Sequence, residues 1–267
     1  MGVKTGKFEP QTVGVVAKKA DGWALIDTFA GKYWVYLDGN ARYIEKTVKV
    51  YGGKEDSSPE GLLEPQIVKI IEQEGDWLKI ETSNGEKWVN PTLNLYPEGV
   101  TVIGDSVCLG AKKALPERIE NCAVDAAGSR QMWQARNLLS ELENARELRE
   151  YIVIALGTNQ NKNTFEQIEQ ILKDLRPGHR VIFVTPYNGK LDESSVTNKI
   201  AAYIRTLPEQ YPFVTVADWA SVIAPQKNLI GGDYVHIGGN KVCVKIYVDC
   251  VIDALAEAKT KPSKSPF

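Results

Sequence analysis

The spacing of hydrophobic and polar positions changes character near Gly99. Before it, short alternating runs such as Trp77-Leu78-Lys79-Ile80-Glu81 are separated by turn signals at Ala20-Asp21-Gly22, Ala30-Gly31 and Ser83-Asn84-Gly85. Alternation with a period of two predicts half-buried strands, and Asn84-Gly85 between two such runs predicts a hairpin. After Gly99, apolar runs of strand length alternate with helical stretches. Strands are predicted over 100–104, 123–127, 151–156, 181–184 and 214–217. Helices are predicted over 107–119, 131–148, 164–175, 194–207 and 239–259. Apolar strands separated by helices imply a doubly wound parallel sheet covered on both faces. Such sheets carry their sites at the C-terminal ends of the strands.

The first part of the chain repeats itself. Glu9-Pro10-Gln11-Thr12-Val13 returns as Glu64-Pro65-Gln66-Ile67-Val68. Trp23-Ala24-Leu25-Ile26 returns as Trp77-Leu78-Lys79-Ile80, and Gly31-Lys32-Tyr33-Trp34-Val35 as Gly85-Glu86-Lys87-Trp88-Val89. A repeat fixes the unit of folding, here a small antiparallel barrel of short strands. The two units, 8–47 and 48–96, resemble bacterial SH3-like domains in their Trp strand, glycine turn and closing Trp-Val strand. The second opens with Val48-Lys49-Val50-Tyr51; the first lacks an equivalent opening strand, which suggests that the natural protein continues upstream. Trp23, Trp34, Trp77 and Trp88 either fill the barrels or line an aromatic groove for a wall peptide or glycan. Tyr96-Pro97-Glu98-Gly99 reads as a linker to a second domain over 99–259, and residues 260–267, rich in Lys, Pro and Ser, as a disordered tail.

Composition narrows the class. The net charge of −2 is spread without a basic stripe, so nucleic acid is not an expected partner. No apolar run approaches the ~20 residues of a membrane span, and Met1-Gly2-Val3-Lys4 lacks the apolar core of a secretory signal. Cys108, Cys122, Cys243 and Cys250 show no metal-ligand spacing, so no metal or other cofactor is expected. They are either small core residues or, in an exported protein, disulfide partners.

Three short motifs carry the chemistry. Gly104-Asp105-Ser106 ends the first predicted strand, Gly157-Thr158-Asn159 ends the third, and Asp233-Tyr234-Val235-His236 precedes the last helix. Ser106 alone fits an N-cap as well as a nucleophile, since a serine hydroxyl attacks only when a base takes its proton. The chain has two histidines. His179 falls in a turn at the opposite end of the sheet and is expected to be solvated. His236 is therefore the candidate base, with Asp233 three residues earlier to orient it. Asp218 is a rival acid, although a cap before Trp219-Ala220-Ser221 suits it better. Ser106, Gly128 and Asn159, at the ends of three strands, offer donors for a tetrahedral oxyanion: two amides and a side-chain carboxamide.

Taken together, Gly-Asp-Ser, the central Gly and Gly-x-Asn, and the late Asp-x-x-His resemble the SGNH hydrolase family over 99 to about 258. The resemblance implies a flavodoxin-like three-layer α/β sandwich with a five-stranded parallel sheet. Ser106, Gly128, Asn159 and His236 would be its signature residues and Asp233 the third triad member. Val102-Ile103-Gly104-Asp105-Ser106-Val107, Leu109-Gly110-Ala111, Ser129-Arg130-Gln131-Met132-Trp133-Gln134 and Val153-Ile154-Ala155-Leu156-Gly157-Thr158-Asn159 look like the extracellular domain of peptidoglycan O-acetyltransferases. That likeness implies a cell-surface enzyme passing an acetyl group through its serine to wall glycan, the donor arriving by way of a membrane acyltransferase domain. Arg130 and Trp133, from the matching stretch, are candidate substrate contacts, and Tyr234, a departure from it that would narrow the acceptor cleft, is a third. Gln160 departs from the family where an Asp often follows the Asn, and Tyr234 stands where the acetyltransferases have a small residue. An acetylesterase is the alternative within this chemistry, and a non-catalytic wall-binding module the alternative outside it.

Overall fold

The computed structural model describes residues 14–18, 22–28, 30–37 and 40–264. The first Glu-Pro-Gln copy, the Ala20-Asp21 turn and the last three residues lie outside them. The chain divides into two compact units, one ending at Leu95 and the other starting at Tyr96.

The first unit is all β. Its strands are β1 (Gly14–Lys18), β2 (Trp23–Thr28), β3 (Gly31–Tyr36), β4 (Ala41–Ile44), β5 (Val48–Tyr51), β6 (Gly61–Leu63), β7 (Gln66–Glu74), β8 (Trp77–Thr82) and β9 (Gly85–Val89). β1, β2 and β3 form one antiparallel sheet, and the others a second in the order β4-β7-β8-β9-β5-β6. The sequence repeat is a structural one. In each hairpin a threonine hydroxyl donates to the carbonyl of a left-handed glycine, Thr28 to Gly31 (φ +114°) and Thr82 to Gly85 (φ +91°). Glycine adopts that conformation without a Cβ penalty, which is why it recurs at both turns. Ile44, Val48, Val68, Leu78, Ile80 and Val89 make the core of the second sheet. β4 belongs to this sheet, paired with β7, although a boundary at residue 47 assigns it to the first repeat. Local alternation predicts that a strand exists but not which partner, 25 or so residues away, it will choose. Trp88 is buried and Trp77 packs edge-on against Tyr51, whereas Trp23 and Trp34 are exposed.

The second unit comprises β10 (Val100–Gly104), α1 (Ser106–Leu109), α2 (Ala114–Arg118), β11 (Cys122–Ala126), α3 (Met132–Asn144), β12 (Tyr151–Ala155), α4 (Thr164–Asp174), β13 (Arg180–Val184), α5 (Val196–Gln210), β14 (Val214–Ala217), α6 (Trp219–Ile223) and α7 (Lys241–Ala258). The five strands are parallel in the order β11-β10-β12-β13-β14. Alternate strand residues face opposite layers. Val102, Val153 and Ile182 join Cys243, Tyr247, Val248 and Val251 of α7 on one side. Ile103, Ile154 and Phe183 join Leu139, Ile168 and Ile204 of α3, α4 and α5 on the other. This is the expected three-layer α/β sandwich.

Two local expectations are corrected. The helix predicted over 107–119 breaks into α1 and α2: between them the amides of Gly110, Ala111 and Lys112 bond three residues back, to the carbonyls of Val107, Cys108 and Leu109, in tighter turns. The tail is held as far as Lys264. The Lys264 ammonium donates to the carbonyls of Leu172, Lys173 and Leu175 at the end of α4, and its backbone pairs with Gly178 and His179. A lysine among the free carbonyls of a helix C-terminus is favoured by the helix dipole. All four cysteines are free thiols, and burial pushes Cys108 and Cys250 up to about 12.

Candidate active site

Three chain turns meet at the C-terminal edge of the parallel sheet. β10 lies second in the sheet, between β11 and β12, and the polypeptide leaves it through Gly104 and Asp105 to place Ser106 at the head of α1. Gly104 is obligatory there. A Cβ on it would lie 2.3 Å from Cβ of Cys108, whose side chain folds back under the turn. The turn is tied to both neighbouring strands. The Gly104 carbonyl accepts from the Ala127 amide and the Asp105 amide donates to the Ala155 carbonyl. β11 and β12 flank β10, and Gly128 and Asn159 follow those two strands in the chain.

The base comes from the loop before α7. His236 Nδ1 donates to Asp233 Oδ2 at 2.6 Å, leaving Nε2 to accept from Ser106 Oγ at 2.8 Å. The same carboxylate takes the Val235 and His236 amides on Oδ1, at 2.9 and 3.0 Å. Hydrogen bonds from the imidazole first, then from these amides, hold Asp233 well below the usual carboxylate range. It therefore stays ionised beside the ring and can stabilise an imidazolium. Both side chains are about half exposed, 49% for His236 and 48% for Asp233, so the base faces solvent.

The loop is braced from two directions. Gly110 approaches Gly238, two residues beyond His236, so closely that a Cβ on Gly110 would sit 2.9 Å from the Gly238 nitrogen. The Gly189 amide donates to the Tyr234 carbonyl at 2.9 Å, and the Tyr234 amide to that of Gly231 at 2.7 Å. Tyr234 is left-handed, with φ +59°, as is Ser129, with φ +57°, beside Gly128. Left-handed backbone at non-glycine residues is uncommon, and two such residues flank this one site.

The remaining nominated residues fare differently. Asn159 donates weakly to the Arg130 carbonyl at 3.4 Å, which links the loops after β11 and β12. Nothing lies within 4 Å of the direction a Gly128 side chain would take. Trp133 and Tyr234 are exposed. Trp133 donates to the Gln131 carboxamide, which also accepts from Asn161. Arg130, nominated as a substrate contact, instead turns inward. Its guanidinium binds the Gly104 and Asp125 carbonyls and the Asp125 carboxylate, and so braces the nucleophile turn.

The rivals are excluded by their surroundings. His179 is fully buried rather than solvated. It stacks on Tyr96 with ring centroids 3.6 Å apart and donates from Nδ1 to the Arg149 carbonyl. Asp218 caps α6 and pairs with Arg205. Burial pushes its carboxyl up, but hydrogen bonds from Arg205, Ser221 and Thr185 outweigh this and hold it at about 2. Sequence reasoning missed Gly110, Gly238 and Gly189. All three lie in turns, so the available signal was the glycine itself, which permits close backbone approach.

A serine after the first strand of a parallel sheet, hydrogen-bonded to a histidine and aspartate on the loop before the last helix, is the arrangement of a serine-dependent enzyme of the SGNH hydrolase type. The catalytic domain of Streptococcus pneumoniae peptidoglycan O-acetyltransferase A is 34% identical, covering 64% of this chain and 99% of that one, with a TM-score of 0.60. The chain belongs to the SGNH hydrolase family. A lipolytic protein of the G-D-S-L family from Veillonella parvula is 11% identical, with a TM-score of 0.49 over 59% of this chain and 97% of that one. An uncharacterized cell wall amidase of Bacillus anthracis is 35% identical over 112 residues, 39% of this chain. The chain spans 21% of that relative's length. No model of a known protein family matches the chain.

Proposed function

We propose that the second unit is a serine-dependent O-acetyltransferase acting on cell-wall glycan through an acetyl-serine intermediate. The observation that carries this reading is the unbroken chain Ser106 Oγ, His236 imidazole, Asp233 carboxylate, with contacts of 2.8 and 2.6 Å. Ser106 Oγ attacks the acetyl carbonyl carbon as His236 Nε2 takes its proton. The carbonyl oxygen becomes an oxyanion facing the Ser106 and Gly128 amides and the Asn159 carboxamide. Collapse breaks the donor ester bond, and the departing alkoxide takes the proton from His236. A glycan hydroxyl then repeats the sequence in reverse: it gives its proton to His236, attacks the acetyl-serine carbonyl and releases Ser106. Trp133 and Tyr234 are read as aromatic surfaces for the sugar rings beside the site.

The choice of acetyl transfer to a wall glycan is supported by the 34% identity to a peptidoglycan O-acetyltransferase domain. It implies a cell-surface location and a donor presented through a membrane acyltransferase domain. The first unit is read as two SH3-like modules, over 8–47 and 48–96, that hold the catalytic unit, 99–259, at the wall. An acetylesterase is the second reading, favoured by the half-exposed base, because water reaches an acetyl-enzyme as readily as a sugar does unless it is excluded.

Incubating the protein with an activated acetyl ester and defined wall-glycan fragments tests both. Acetylated glycan is the expected product, and acetate alone would favour the esterase. Equal turnover of the ester by wild type and Ser106→Ala would remove the serine mechanism altogether.

A further inference from the structure

Asp105 lies between the end of β10 and the nucleophile and is 1% exposed. Its Oδ1 accepts the Val107 amide at 2.9 Å, its own amide reaches the Ala155 carbonyl, and its carbonyl accepts from Leu109. α1 has four residues, far too few to hold a helical conformation without outside support. The one side-chain cap it receives is therefore a large part of what orients Ser106.

Capping does not call for the charge of an aspartate. Asn caps a helix as well as Asp and carries no charge to desolvate. Yet Oδ2 of Asp105 is buried without a hydrogen-bond partner among the described residues, which few side-chain oxygens in folded proteins are. Asp105 lines a narrow crevice that is also lined by Ala155, Leu156 and Thr158 of the neighbouring segment, and by Tyr187 and Tyr247. Thr158 immediately precedes Asn159. Its hydroxyl and amide act on the Asp105 carboxyl, but less strongly than burial, which pushes that carboxyl up. One buried carboxyl thus touches the helix that carries the nucleophile and faces the turn that carries an oxyanion donor.

We infer that Asp105 is a positioning residue that keeps Ser106 and the Asn159 turn in register, and that it works through the geometry of its carboxyl rather than through negative charge. This rests on Ser106 being the nucleophile. It follows that Asn, which matches the carboxyl in shape and keeps the acceptor for Val107, can replace Asp105, whereas Ala cannot.

The test compares steady-state hydrolysis of an activated acetyl ester by wild type, Asp105→Asn, Asp105→Ala, Thr158→Val and Ser106→Ala, with thermal unfolding of each. Asp105→Ala is expected to lose about a hundredfold in kcat, with KM within about threefold, as for a reacting group displaced by ~1 Å. Asp105→Asn should keep kcat within about threefold of wild type and leave the pH dependence unchanged. A purely structural role would lower the unfolding temperature of Asp105→Ala and leave its kcat alone; that result overturns the inference. So does an Asp105→Asn variant as impaired as Asp105→Ala, because charge would then be the working property. Should Asp105→Ala fail to fold, Thr158→Val decides, with a fall of roughly tenfold expected and an unchanged kcat overturning the inference. Ser106→Ala separates the two levels. Its activity must vanish; if it does not, the nucleophile is misassigned whatever the Asp105 variants do.

Discussion

Replacing Gly110 with alanine probes how the nucleophile and base segments are held together. Gly110 has φ −62° and ψ −24°, which alanine adopts freely, so the substitution adds no backbone strain. Its effect is steric. The new Cβ would lie 2.9 Å from the Gly238 nitrogen, 3.0 Å from Cγ1 of Ile237 and 3.2 Å from the Gly238 Cα. Ordinary contact begins at 3.4 Å, so the two backbones must part by about 0.5 Å. If that movement passes to the base, the Ser106–His236 contact lengthens from 2.8 Å to about 3.3 Å, at the limit of a useful hydrogen bond. A displacement of ~1 Å costs roughly a hundredfold in rate, so half of it should cost roughly tenfold in kcat. Overpacking adds a stability loss of about 1–3 kcal/mol. The assay is initial-rate hydrolysis of an activated acetyl ester, paired with a thermal melt to establish the folded fraction. Gly238→Ala is the control, because its Cβ would meet Gly110 Cα at 3.7 Å, an ordinary contact, and turnover should stay within about twofold. Full activity in a folded Gly110→Ala protein, or equal damage from both substitutions, would refute the reasoning.

The two histidines should separate cleanly. His236→Ala is expected to lose about a thousandfold or more in kcat with little change in melting temperature, since its side chain is half exposed. His179→Ala should lose roughly 2 kcal/mol of stability through its buried stacking on Tyr96, with kcat unchanged in the folded fraction. Reversed outcomes in paired kinetic and melting measurements would overturn the assignment of the base. For Asp218 the folded carboxyl is depressed to about 2, below the ~3.9 of an unfolded Asp. Its stabilisation is therefore complete above about pH 4 and is lost as pH falls toward 2. Melting temperature plotted against pH should fall less steeply on the acid side in Asp218→Asn than in wild type, and parallel curves would contradict this.

What was legible in the sequence, and what was not, divides along the range of the interactions. The five parallel strands are visible because burial on both faces leaves continuous apolar runs. Ser106 and His236 are visible because a chain with two histidines offers few bases. Arg130 was nominated through the likeness of its stretch to the acetyltransferases, whereas its inward turn depends on the carbonyls of Gly104 and Asp125. The burial of His179 needs Tyr96 and Lys264, both remote along the chain. The close approach of Gly110 needs Gly238, and the partner of β4 lies in β7. α6 was missed because five residues after a capping Asp are too few to show a period.

The brevity of the Asp233 to His236 segment has a mechanical consequence. Four consecutive residues build both the proton acceptor and the group that orients it, so this pair is assembled by local folding and travels as one rigid piece. Only a single separation remains to be set by the tertiary structure, the one between that piece and the serine oxygen. That spacing is sensitive to small movements: with no unfolding and no rearrangement of charges, about half an ångström at the Gly110–Gly238 seam would slow turnover about tenfold.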